Sequence, residues 1–280
     1  MVPLRWVALI LALGLCALVR PPSAVSRAAP AADAATDFLL AQLPVGRAAI
    51  QDLVAALTAG DLAGARAAYA RARVPWEKLE VVIDADPSLE EFDTAIDARE
   101  DDFPLGSNDS NWKGFHKIER GLWYDQQTTP LVPVAQQLLA DWDAMAAQLQ
   151  RLVQQGAFTP ATLLDGAEDL LAEVAETKIT GEEERYSKLD LLDFQANLAG
   201  AEAIYNAYQD QIAARDRGLA GEIARGFQQA KSALAPFVRS ETEVTNYDQV
   251  PQDARNRIAA SFRTLARALE RASQLMERGS

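Results

Sequence analysis

Histidine is nearly absent from this sequence of 280 residues: His116 is the only one. Cysteine occurs once, at Cys16, and methionine three times. Zinc patterns built from two histidines or four cysteines are excluded, and so is a disulfide framework. Basic residues are also in deficit, with 27 Lys and Arg against 40 Asp and Glu and a formal net charge of −13. Nucleic acid is a poor partner for such a chain, because neutralising phosphates requires Lys and Arg in excess. A cation suits it better. There is no Gly-rich phosphate loop and no stretch alternating with period two, which argues against nucleotide-loop and β-sheet proteins. The apolar run Val7 to Val19 has 13 residues, where a membrane helix needs roughly 20.

Arg5 precedes that run and the small residues of "PPSA" close it at Ala24. This is the layout of a secretory signal peptide over residues 1–24. Cys16 follows Leu15 rather than a small residue, so a lipoprotein anchor is not expected. Cleavage after Ala24 leaves an exported chain without cysteine, not embedded in the membrane and stabilised by its own core. Residues 25–35 read as a linker and 36–280 as the folded region.

What the folded region does contain is helix-forming: Ala, Leu, Glu, Gln and Arg in abundance, with few β-branched runs. Leu62, Ala65, Tyr69, Ala72, Trp76, Leu79 and Ile83 recur at spacings of 3 and 4, the seam of a bundle helix. Gly60 and Asp61 bound it at the N-terminal side, and Pro75 is expected to kink or split it ahead of Trp76. Ile258, Phe262, Leu265, Leu269 and Leu275 define a last helix, with Pro251 at its start. Further helices are expected near 36–59, 131–155, 160–178, 188–213 and 216–237. The segment 84–110 is irregular, with one short helix. The fold class is all-α: two antiparallel helical bundles packed together, with a break at "QQTTPLVP", 126–133.

The chemistry gathers around the lone histidine. Trp112, His116, Glu119 and Trp123 follow one another at spacings of 4, 3 and 4. A helix through all four would place His116 and Glu119 on an inward stripe between tryptophans. Such a pair is either a buried hydrogen bond that fixes packing or two ligands of one metal ion. "PWEKLE" supplies a second pair, Glu77 and Glu80, one turn apart, with Asp84 continuing the same edge. Residues 77–102 hold eleven acidic side chains, Asp93 and Asp97 among them, and only Lys78 and Arg99 as bases. That density repels itself unless solvent or a cation offsets it. Carboxylates with one imidazole form a hard ligand field suited to iron, manganese or zinc rather than copper(I). In "TKITGEEERYSKLDLLDFQANLAGAEAIY" (177–205), Thr180 with Glu183 and Ser187 with Asp190 fit capping boxes. Asp190, Asp193 and Asn197 share a face there, as an interhelical network closed by Gly200 or as a wall of the first site.

"GFHKIERGLW", from Gly114, is a Gly-x-His-x-x-Glu motif that resembles the imelysin-like proteins, also called the M75 peptidase family. "AETKITGEEERYSKLDLLDFQANLAGA", from Ala175, is similar to the EfeO/EfeM branch of that family, and "PWEKLE" and "IDAREDD" (96–102) look like the same branch. The resemblance spans roughly 36–277. It implies two helical bundles and a periplasmic role in iron uptake, with an iron permease and a haem-type peroxidase as partners. Carried over by position, the metal ligands are Glu77, Glu80, Asp97 and His116, with Glu119 as a further ligand or as the group that orients His116. Iron is the implied ion; zinc and manganese are the alternatives. The chain resembles the shorter EfeM type, without the cupredoxin domain that full-length EfeO proteins carry.

Three functions follow for comparison: a metal carrier, a metal-dependent peptidase, and a metal-free helical binding module of the cell envelope. The carrier is preferred, and no enzymatic activity is expected. His-Glu-x-x-His cannot be built from one histidine, and in the inverted motif Arg120 stands where histidine is required.

Overall fold

The computed structural model describes residues 33–83 and 85–278. The expected signal peptide, residues 25–32 of the expected linker and Asp84 lie outside the described residues. Helices are the only extended elements among the described residues, beside one isolated bridge between Val238 and Val244. The all-α expectation holds.

Helix α1 (Ala34–Thr58) begins at Asp33, whose carboxylate accepts from the Thr36 backbone N–H. That cap satisfies an otherwise unpaired donor and starts the helix two residues ahead of the expected boundary. Gly60, at φ 72°, turns the chain, and Asp61 then accepts from Gly64 at the head of α2 (Leu62–Ile83). A short α3 (Glu90–Ile96) and two 3₁₀ turns fill the irregular stretch, followed by α4 (Phe115–Trp123) and α5 (Val132–Gln155). Then come α6 (Pro160–Glu176), α7 (Asp190–Arg215), α8 (Arg217–Leu234) and α9 (Gln252–Glu277). The 126–133 break is a turn and a 3₁₀ segment, and α5 beyond it packs back on α1, α3 and α4.

Helix α2 sits at the centre, against α1, α4, α6 and α7. Its seam is buried as the spacing requires, from Ala65 through Tyr69, Ala72, Trp76 and Leu79 to Ile83. Of the kink or split expected at Pro75, the split does not occur: α2 runs on to Ile83. Residues 72–77 are all buried, and packing on several sides holds a turn that lacks one backbone donor. The last helix also follows its stripe, with Ile258, Phe262, Leu265 and Leu269 wholly buried. Nearly all buried apolar side chains join one cluster running through the helices on both sides of α2.

Two glycines let neighbouring backbones approach α2. A Cβ on Gly166 of α6 would lie 2.2 Å from the Val81 carbonyl oxygen, and one on Gly200 of α7 would lie 2.7 Å from that of Lys78. Gly166→Ala is expected to lose about 1–3 kcal/mol of unfolding free energy in urea denaturation, because backbone must move to admit the methyl group. Gly221→Ala, which meets only the tip of Arg225, is expected to stay within about 0.5 kcal/mol of the parent or gain slightly.

Candidate metal centre

On α2, Arg73, Glu77 and Glu80 stand at spacings of 4 and 3, one helical face that ends among the other acidic groups. Asp97 is the residue that ends α3. Its approach to α4 depends on Gly114, which takes φ 86° and lies so close to α3 that a Cβ would be 2.2 Å from the Ile96 carbonyl oxygen. The Trp112 indole N–H donates to the Ala98 carbonyl at 3.0 Å, closing the same junction. Helix α4 therefore starts at Phe115, and Trp112 precedes it rather than standing on its stripe. His116 and Glu119 nevertheless point inward, both almost fully buried.

The geometry separates the roles of that pair. One Glu119 oxygen accepts from the Tyr186 and Ser187 backbone N–H groups, each at 2.7 Å. The other lies 3.4 Å from His116 Nδ1. Glu119 is thus fully engaged, and its contact at Nδ1 turns the other ring nitrogen toward the cluster. That nitrogen, Nε2, is buried without a hydrogen-bond partner among the described residues. It faces Asp97 Oδ1 at 3.3 Å and Glu183 Oε1 at 4.0 Å. Protonated, this nitrogen is compensated by the neighbouring carboxylates; neutral, it presents a lone pair to them as a metal ligand would.

Two groups of donors could each hold an ion: Asp97 with His116 and Glu183, and Asp97 with Glu77 and Glu80. Within each, the donor atoms lie within 4.8 Å of one another. Two donors on a tetrahedral ion stand about 3.3 Å apart at ordinary bond lengths, so small side-chain rotations suffice. The structure therefore brings together all four positions expected as ligands, with Asp97 shared, and sets Glu119 beside them. Asp93 lines the cleft outside rather than the centre. That cleft, about 440 Å³, is lined by Glu80, Asp97, Lys178 and Glu183 of the centre and by Asp93, Asp102 and Glu173.

Sequence reasoning missed the cations. Arg73, wholly buried, contacts Asp97 and Glu77 directly and has Glu184 at 3.2 Å and Asp193 at 3.6 Å. Lys178, 2 % exposed, places its ammonium 2.9 Å from both Glu80 oxygens and 3.4 Å from Glu183. The sequence does carry a signal for Arg73: Tyr69, Arg73 and Glu77 stand at spacings of four on a buried seam. The capping boxes expected at Thr180 with Glu183 and at Ser187 with Asp190 do not form. Ser187 donates its hydroxyl to Glu184, Thr180 donates to the Thr177 carbonyl, and α7 starts after Leu189 with no side-chain cap. Glu183 is thereby free to face the centre. The Asn197 amide joins the halves, donating to Glu77 and to Glu80 at 2.9 and 2.7 Å.

The electrostatics favour protons in the metal-free centre. Burial disfavours the imidazolium, but Asp97 and the hydrogen bond with Glu119 outweigh it and push His116 from its ordinary 6.5 up to about 9. Burial pushes Glu184 up to about 8, helped by Glu119, and Asp190 up to about 7. Burial also raises Glu77 and Asp193, against the pull of Arg73. At Asp97 the opposite balance holds: burial would raise it, but Arg73 and His116 keep it below the usual range.

Comparison with known proteins finds relatives over most of the chain. A family model described as Imelysin (Peptidase M75) matches residues 33–272. The iron uptake system component EfeM of Bacillus subtilis (strain 168) is 32% identical over 217 residues, covering 78% of this chain and 54% of that protein. The iron uptake system component EfeO of Escherichia coli (strain K12) is 34% identical over 214 residues, 76% of this chain and 55% of its own. An EfeM component from Pseudomonas syringae pv. syringae (strain B728a) is 33% identical over 219 residues, 78% of this chain and 74% of its own. The chain spans about half the length of the Bacillus and Escherichia proteins.

The raised groups have a consequence for the metal-free protein. A folded His116 that titrates near 9 rather than 6.5 contributes stability that is complete below about pH 6.5 and lost as pH rises through 9. Glu184 and Asp190, raised toward neutrality, act in the same direction. With chelator present, the melting temperature is expected to fall from pH 6.5 to 9 in scanning calorimetry, and to fall less steeply in His116→Gln. A melting temperature that rises across this window would contradict the assignment.

Proposed function

The chain belongs to the imelysin (peptidase M75) family, and from that membership and the geometry of the centre we propose that it is a metal-binding component of an iron uptake system. Its task is to capture iron, or a similar divalent cation, from solution and pass it on. The observation that carries this reading is His116 Nε2: buried, without a hydrogen-bond partner among the described residues, and aimed at the carboxylates of Asp97 and Glu183. An imidazole nitrogen among carboxylates suits iron, zinc or manganese, and the iron uptake systems to which the relatives belong favour iron as cargo.

In this reading His116, Asp97 and Glu183 hold the ion on one side, and Glu77 and Glu80 are the ligands available on the other. Glu119 acts through His116, fixing the tautomer that leaves Nε2 free. The acidic cleft raises the local cation concentration in front of the site. The reading is of a carrier with no catalytic step. Glu119, the carboxylate a peptidase would need as base beside the histidine, is committed to two backbone donors and the imidazole. No described helix is long and apolar enough to cross a membrane. The proposed setting is the periplasm, reached through the leader at residues 1–24, with an iron permease and a haem-type peroxidase as partners of the same system.

Titration with ferrous iron under anaerobic conditions, with zinc and ferric iron in parallel, is expected to show saturable uptake of one ion per chain with release of protons. Affinity should weaken on acidification, because ligation needs neutral His116 and ionised carboxylates. His116→Ala is expected to lose at least about 100-fold in affinity, and Glu119→Gln about 10–100-fold, the range for an outer partner. Both should keep a far-UV circular dichroism spectrum close to the parent's. Unchanged affinity in folded His116→Ala would sink the site assignment.

A further inference from the structure

The two donor groups share Asp97, which Arg73 contacts, and differ in what meets their remaining members. His116 Nε2 has no hydrogen-bond partner among the described residues at the first, whereas the second already holds a cation. The Lys178 ammonium lies 2.9 Å from each Glu80 oxygen, 3.4 Å from Glu183 and 3.7 Å from Glu77. It therefore touches the two carboxylates that distinguish the second group and one that belongs to the first. A metal ion bound through Glu80 or Glu77 would place its charge within a few ångströms of the ammonium, at the largely buried floor of the cleft. Like charges at that separation repel strongly. The lysine also has somewhere to go. It extends from a short 3₁₀ turn after α6 and lines the 440 Å³ cleft together with Asp93, Asp102 and Glu173.

We infer that Lys178 is a tethered competitor for the metal: in the empty centre its ammonium occupies the Glu77–Glu80 side, and ion and ammonium exchange places when metal binds. This deepens the carrier reading and rests on it. The exchange keeps the buried carboxylates compensated in both states. Release to a receiving protein then does not leave a naked acidic cluster, and the affinity is set below what the ligands alone would give.

Lys178→Met is the direct test, with zinc and ferrous iron as probes in isothermal titration. The folded variant is expected to bind at least about 10-fold more tightly than the parent, or to take a second ion, because the internal competitor is gone. Lys178→Arg keeps the charge and should return affinity to within about threefold of the parent. A lysine that merely supported the fold would give the reverse, with Lys178→Met binding no better or more weakly, and that result overturns the inference. Should Lys178→Met not fold, the parent protein decides the matter. Pulse acetylation read by mass spectrometry should label Lys178 severalfold faster at saturating zinc than in chelator, and equal labelling in the two states overturns the exchange. A parent protein that takes up no metal would defeat the carrier reading first, and this inference with it.

Discussion

The rest of the structure depends on a guanidinium that solvent does not reach. Arg73, on the central helix, is the point from which Asp97, Glu77, Glu184 and Asp193 are all within ion-pairing distance. Taking one unpaired carboxylate out of water costs several kcal/mol even after relaxation, and this centre gathers carboxylates from α2, from the end of α3, from α4, from the 183–184 turn and from α7. Only opposite charges close at hand make that arrangement tolerable. At an effective dielectric constant near 20, two charges 4 Å apart interact by about 4 kcal/mol. Arg73 and Lys178 supply the permanent positive charges, and protons on His116 and the raised acids supply the remainder. A buried ion cluster of this kind is weak as a source of stability. Its persistence in the middle of α2 is therefore better explained by what it can bind.

The helical frame serves this arrangement in a specific way. Gly166 and Gly200 bring α6 and α7 close to α2, and Gly114 brings the start of α4 onto the end of α3. Each contact is between backbones, so the side chains on facing elements meet at short range. His116 reaches Asp97 through the α3–α4 junction, Asn197 reaches Glu77 and Glu80 through the α2–α7 contact, and Lys178 reaches Glu80 because α6 ends beside α2. The site is assembled from five separate stretches of chain, with His116, Glu77 and Glu80 on helices, Asp97 at a helix end and Glu183 in a turn, and the cleft lies on one side.

Much of this is legible in the amino-acid sequence. The long helices follow from apolar spacing, because a stripe at 3 and 4 has no other way to be buried together, and Tyr69, Trp76, Phe262 and Leu269 sit where their stripes require. The lone histidine with its carboxylate neighbours is visible as well. Less accessible is anything that depends on which distant segment faces a residue. Spacing puts Arg73 on the seam of Tyr69 and sets Arg71 off it, where it pairs with Asp52 at the surface, but spacing does not say which carboxylates meet the guanidinium. Glu183 carries the local pattern of a helix cap and Glu184 beside it carries none, and only the long-range approach of α2 and α4 turns them into parts of the centre. At Pro75 the same reason decides between the two expected outcomes: the tendency to break the helix is overridden by burial on several sides.

The central claim is that His116 Nε2 and the surrounding carboxylates are a cation site held ready by protons, Arg73 and Lys178. It is tested most directly by anomalous diffraction from crystals of the protein grown with zinc or ferrous iron. The account predicts one strong anomalous peak at bonding distance from His116 Nε2 and an Asp97 oxygen, about 2.0–2.2 Å for zinc, with Glu119 still on Nδ1. Anomalous density confined to surface carboxylates, with His116 Nε2 uncoordinated at saturating metal, would contradict it.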